Sequence, residues 1–145
     1  MAADSGFIDT NILVYASRTR SPFYSRAIDS LRQAGDSGAT LWLSRQILRE
    51  YLAVVTRPQP SQPTLSIADA TADVERFLAA FNIAEDGPLV TRRLLDLLAR
   101  HPSGGRQIHD VNIVATMLAH GITRLVTVNG SDFHRFGGLI ECVSI

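Results

Sequence analysis

Apolar residues along this chain fall into short continuous runs and longer stretches with a helical repeat, and the two kinds alternate. Phe7-Ile8 is the first short run and ends in Asp9; Thr10 or Asn11 can then accept the first free N–H groups of a helix through Leu13, Val14 and Tyr15. Arg18-Thr19-Arg20-Ser21-Pro22 breaks the pattern, residues 23–34 resume it with Ala27, Ile28 and Leu31 on one face, and Gly35 is expected to end that helix. Thr40-Leu41-Trp42-Leu43 reads as a second strand, and Ser44 as the cap of a helix through Ile47, Leu48, Tyr51, Leu52 and Val55. Residues 57–63 carry Pro58, Pro60 and Pro63 and read as an extended connector. Further helices are predicted over 66–81, burying Ile67, Ala70, Val74, Phe77, Leu78 and Phe81, over 89–100, and over 107–120 up to Gly121. Strands are predicted at 125–128 and 139–145. Strands separated by helices and never by two-residue hairpins predict an α/β fold, three layers with a mostly parallel central sheet.

Four acidic positions disturb this apolar pattern. Asp9 stands at the carboxyl end of the first strand, the edge where α/β sheets bind ligands, although it also reads as an ordinary helix cap. Glu50 falls at the edge of its helix's apolar stripe, about 40° from Val54 at 100° per residue. Asp110 sits within the stripe of Val111, Val114, Met117 and Leu118, where an ionised carboxylate is costly unless paired or bound to a metal; a cap or a water partner near the helix start is the alternative. Asn129-Gly130-Ser131-Asp132-Phe133 again places polar groups just beyond a strand. If these positions meet at one sheet end, like charges about 4 Å apart repel by roughly 4 kcal/mol at an effective dielectric near 20, so the cluster must take up protons or a divalent cation. Oxygen ligands without a local Cys or His pair favour Mg²⁺ or Mn²⁺ over zinc.

Composition narrows the classes. The 145 residues, 46% of them hydrophobic, suffice for one domain spanning 1–145. The 14 basic residues balance 14 acidic ones, so a polyanion must be held by a local patch. All 14 are arginine, which removes mechanisms that need a lysine amine. A single cysteine, Cys142, in an apolar strand context, reads as a core residue and suits a reducing cytoplasm. No secretory leader or membrane span is expected.

Phe7-Ile8-Asp9-Thr10-Asn11-Ile12-Leu13, then Leu48-Arg49-Glu50-Tyr51, His109-Asp110-Val111 and Thr127-Val128-Asn129-Gly130-Ser131-Asp132-Phe133 resemble the ordered motifs of PIN-domain ribonucleases, nearest the VapC-type toxins of toxin–antitoxin pairs. The resemblance implies a three-layer PIN-like fold and an Mg²⁺- or Mn²⁺-dependent endoribonuclease that hydrolyses single-stranded or loop RNA to a 5′-phosphate and 3′-hydroxyl. It gives Asp9, Glu50 and Asp110 the metal-binding roles, with Asp132 as a candidate fourth catalytic acid. Many members carry an acid where this chain has Asn129, so one metal ion rather than two is expected. Thr10, Asn11, Thr127 and Asn129 would orient the acids or a water. Arg18, Arg20, Arg45, Arg49, Arg92, Arg93 and Arg106 are candidates for the RNA backbone, while His109 is expected to face outward. The resemblance also implies a cognate antitoxin protein and a homodimer, through apolar faces such as Phe77 and Phe81 or Leu94 and Leu97. Two other readings stay open: a degenerate PIN-like module that binds RNA or protein without catalysis, and a haloacid-dehalogenase-like phosphatase using the Asp9-x-Asn11 pattern, which usually needs a later lysine.

Overall fold

The computed structural model describes residues 4–145; the opening Met1-Ala2-Ala3, on which the expectation of no leader rests, lies outside the described residues. Strands β1 (Ser5–Ile8), β2 (Thr40–Ser44), β3 (Asn82–Ala84), β4 (Arg124–Thr127) and β5 (Glu141–Ser144) form one sheet in the order β3-β2-β1-β4-β5, with every pairing parallel. Around it lie helices α1 (Thr10–Ser17), α2 (Tyr24–Asp36), α3 (Arg45–Val55), α4 (Ile67–Ala80), α5 (Pro88–Arg100) and α6 (Gln107–Ala119), and a 3-10 helix over Gly130–Phe136.

The chain steps outward from β1 through β2 to β3, then crosses back to lay β4 on the other side of β1. Right-handed crossovers on such a path put the helices of the two halves on opposite faces. Accordingly, α1 packs on α2 and α3, and α3 on α4, while α5 and α6 pack on each other. Covered on both faces, β1 needs no alternation, and Phe7 and Ile8 are both fully buried. The reversal of strand order opens a crevice beyond the carboxyl ends of β1 and β4, the position where open α/β sheets bind ligands.

Several local expectations are corrected. Strand β3 was hidden because Asn82-Ile83-Ala84 is too short to show a period. Helix α2 continues through Gly35 to Asp36, and the left-handed turn falls instead at Gly38, φ +79°. Residues 57–63 are not simply extended, since Gln59 and Gln62 close a small antiparallel bridge. The last strand is confined to Glu141–Ser144. On α4, Ile67 is 68% exposed and Leu78 37%, because this outer helix turns only the Ala70, Val74 and Phe77 stripe toward α3. Phe77 meets Tyr51 edge-on at 4.9 Å between centroids, and the Tyr51 hydroxyl donates to Asp73 at 2.6 Å. Leu97 is buried in the core and so cannot form a dimer face, and Cys142 on the edge strand is only half-buried. Among the described residues no helix is long and apolar enough to cross a membrane.

Candidate active site

Asp9 follows β1 directly and keeps the sheet's hydrogen bonding, its N–H donating to the Val126 carbonyl at 3.0 Å. Its side chain caps α1: Oδ1 accepts the Thr10 N–H at 2.8 Å, so Asp9 rather than Thr10 or Asn11 is the cap. Capping occupies one oxygen only. The other, Oδ2, accepts the Thr127 hydroxyl at 2.7 Å across the β1–β4 crevice, and the Thr127 oxygen in turn accepts the Asn129 N–H at 3.0 Å. Asp9 thus serves as cap and as wall of the crevice at once.

Ser44 starts α3 at the end of β2, accepting the Ile47 N–H at 3.4 Å. Gln46, in the first turn, is buried, and one turn further Glu50 reaches the crevice. The Thr10 hydroxyl donates to Glu50 Oε2 at 2.7 Å, and Gln46 Nε2 donates to Glu50 Oε1 and to the His109 carbonyl, each at 2.9 Å. Asn112 Nδ2 donates to Gln46 Oε1 at 2.8 Å. Through Gln46, the Glu50 carboxylate is tied to α6.

Asp110 lies in the first turn of α6, where the helix dipole favours an anion. Asp132 is carried by the 3-10 helix, which buried Phe133 and Phe136 anchor beneath. Asp9, Glu50, Asp110 and Asp132 all line one open cavity of ≈ 760 Å³, together with Thr10, Asn11 and Asn129. Among the described residues, none of the four acids is within an ion pair, and neither Asp110 nor Asp132 receives a side-chain hydrogen bond. Nor, among those residues, do three His, Cys, Asp or Glu side chains stand close enough to form a ready ligand set. Burial above all raises the Asp9 carboxyl to a pKa of about 6; the Thr127 and Thr10 hydrogen bonds pull it down, and Glu50 and Asp110 push it up. Burial also raises Asp110, with Asp132 and Glu50 adding to it and Arg135 and His109 opposing.

Of the arginines named from sequence, only Arg106 lines this cavity. Arg18 caps the far end of α1, Arg20 follows it, and Arg49, Arg92 and Arg93 are exposed on helix faces outside the cavity wall. Arg45 pairs with Glu85 at 2.7 Å. His109 is solvent-exposed, yet it borders the cavity. Sequence reasoning missed Gln46, Asn112 and Arg135. A polar Gln46 beside Ile47 at the start of a buried helix face, four residues before Glu50, was a usable signal; Arg135 had none, because its place depends on how the 3-10 helix folds.

Sequence comparison decides the family: a family model of the PIN domain matches residues 6–139. The chain belongs to the PIN-domain family. This PIN domain is 26% identical over 136 residues to ribonuclease VapC48 of Mycobacterium tuberculosis, an alignment covering 90% of this chain and 91% of that one. Its fold is shared with Mycobacterium tuberculosis VapC20, a toxin described as cleaving the sarcin-ricin loop (TM-score 0.70, 17% identity, 97% of this chain and 100% of the other). It is shared also with VapBC2 of Rickettsia felis, solved on a DNA fragment from its promoter (TM-score 0.66, 21% identity, 97% and 98%). The family expected from the four ordered motifs is the family found, and the parallel sheet between two helical layers is its fold.

Proposed function

We propose that this PIN domain is a divalent-metal-dependent endoribonuclease, the toxin of a toxin–antitoxin pair, that hydrolyses single-stranded or loop RNA to a 5′-phosphate and a 3′-hydroxyl. The observation that carries the reading is the cavity at the β1–β4 crevice, lined by four carboxylates that form no ion pair with a guanidinium among the described residues. Similarity to VapC48 and the VapC fold supports it.

The donor chemistry fits a hard cation: carboxylates and the Asn129 amide line the cavity, and no cysteine does. Mg²⁺ keeps several waters and takes only one or two protein carboxylates, which the acids lining this cavity can supply. Asp9 and Asp110 would hold it, with Glu50 acting directly or through water and Asp132 as the additional acid of the turn. Bound there, the ion supplies Lewis acidity toward a phosphate oxygen and makes a nearby water more acidic. Thr127 and Thr10 hold the Asp9 and Glu50 carboxylates in fixed orientations, so neither must be ordered during the reaction. Buried Asp9 keeps its proton into mildly acidic solution, a proton that a bound cation would compete with. Asn11 and Asn129, which line the cavity, would orient water, and Arg106, on the same wall, would meet the RNA backbone.

An antitoxin partner follows from the same reading, supported by neighbours solved as VapBC and toxin–antitoxin complexes. A short antitoxin segment would set an arginine against Asp9, Glu50 and Asp110 as a bidentate pair. A homodimer and a cytoplasmic setting belong to the proposal as well. A second reading, a non-catalytic binding module, is favoured by Asn129 in place of an acid and by the absence of a ready ligand set among the described residues.

Incubation of the protein with end-labelled single-stranded RNA and Mg²⁺ or Mn²⁺ separates the two. Cleavage abolished by chelator and by Asp9→Asn or Asp110→Asn, with products open to 5′-phosphate-dependent digestion, supports the nuclease. Undiminished cleavage in Asp9→Asn ends it.

A further inference from the structure

One cation on the cavity wall is held as if waiting for an anion. Arg135, in the 3-10 helix three residues beyond Asp132, lines the same cavity as the four acids. Its Nη1 donates to Ser103 Oγ at 2.8 Å, and Ser103 spends its own proton on the His101 carbonyl at 2.9 Å, so the serine oxygen is fixed as an acceptor. The guanidinium carbon lies 4.8 Å from the centroid of the Phe136 ring, which is fully buried and braced by the His101 ring edge at 5.1 Å. Two neutral groups therefore set the plane and direction of this guanidinium.

What it does not touch is as telling. Among the described residues Arg135 is within no ion pair, although Asp110 and Asp132 share its cavity; Arg106, on the α6 side of the same wall, is also in none. A guanidinium kept only to neutralise the acids would swing onto one of them. Clamped by Ser103 and Phe136 instead, and donating to no other side chain among the described residues, it keeps further N–H groups for a ligand at the cavity it lines, a fork whose geometry matches phosphate oxygens.

Resting on the nuclease reading above, we propose that Arg135, oriented by Ser103 and Phe136, is a binding site for a backbone phosphate of single-stranded RNA flanking the one that is cleaved, with Arg106 as its neighbour. The site selects strands long enough to reach from the acids to the 3-10 helix. It acts in binding rather than in the bond-breaking step, and it sets the register in which the strand crosses the acids.

The test uses the full chain carrying Asp9→Asn, so that RNA is bound and not cut, with fluorescence anisotropy of a labelled single-stranded oligoribonucleotide across a salt series. Adding Arg135→Met, which keeps an unbranched side chain over Phe136 and preserves folding, is expected to weaken binding roughly tenfold, the worth of a charge-assisted hydrogen bond. It should also flatten the plot of log affinity against log salt by about 0.7, one phosphate on a single strand. Ser103→Ala should weaken binding while Arg32→Ala, an exposed position on α2, changes nothing. With Asp9 restored, Arg135→Met should raise KM more than it lowers kcat. Unchanged affinity and slope in Arg135→Met, while the Asp9→Asn parent still binds RNA, overturn this site alone; a wild-type protein that neither binds nor cleaves RNA overturns the nuclease reading with it.

Discussion

Replacing Asp9 with Asn should stabilise the metal-free protein at neutral pH. The Asn side chain is of the same size and its oxygen can still accept the Thr10 N–H; its amide would donate to Thr127 Oγ, so the buried Thr127 hydroxyl loses its acceptor and part of the gain from removing the charge is offset. In the fold the Asp9 carboxyl titrates at about 6, against 3.8 for an ordinary aspartate, and the group is only 7% exposed. Because the folded pKa lies above the unfolded one, the native state binds more protons between these values, and stability falls as pH rises through that window. Below pH 3.8 the group is neutral in both states and costs nothing; above about 6 it is ionised in both, and the cost is complete. A difference of about 2 pKa units corresponds to roughly 3 kcal/mol. For a chain of this length, with an unfolding entropy of about 0.3 kcal/mol/K, that is a rise in Tm of up to roughly 10 °C. Thermal melts in chelator at pH 7.5 should therefore place Asp9→Asn above wild type, and melts at pH 4 should bring the two together. Saturating Mn²⁺ should narrow the gap at pH 7.5 by stabilising wild type alone. An Asp9→Asn protein no more stable than wild type at pH 7.5, or a gap that widens toward pH 4, would refute the reasoning.

Thr127→Val removes the donor to Asp9 and the acceptor for the Asn129 N–H, and cleavage is expected to drop by about 10- to 100-fold, with Thr127→Ser recovering most of it. Gln46→Leu strips a hydrogen bond from Glu50, from the His109 carbonyl and from Asn112, whose amide keeps only a long 3.5 Å contact to Asp86; denaturant unfolding should register a loss of about 1–3 kcal/mol. Gly130→Ala would bring a Cβ against Ser144 Oγ, at the foot of the helix that carries Asp132. The exposed Ser144 hydroxyl can turn aside, so the change should cost less than about 1 kcal/mol, and adding Ser144→Ala should restore most of that; a double mutant no better than the single would exclude the clash.

The strand-and-helix order was legible because each long helix shows its 3.6 period and each buried strand an unbroken apolar run. Asp9 and Asp110 stood out as charges where that pattern asked for apolar side chains. Strand β3 was illegible since three residues carry no period, and the exposure of Ile67 and Leu78 followed from α4 lying outermost, which its own stripe does not encode. The arginines failed most plainly. Charge alone does not say which face a surface side chain occupies, so Arg18, Arg20, Arg45 and Arg49 carried the same signal as Arg106, and Arg135 needed the Ser103 and Phe136 contacts to be noticed.

The reading stands most directly on calorimetric titration of Mn²⁺ into the full chain at pH 7.5. It predicts saturable binding in wild type that Asp9→Asn and Asp110→Asn each abolish while both variants remain folded. No heat in wild type, or equal heat in all three proteins, would contradict it.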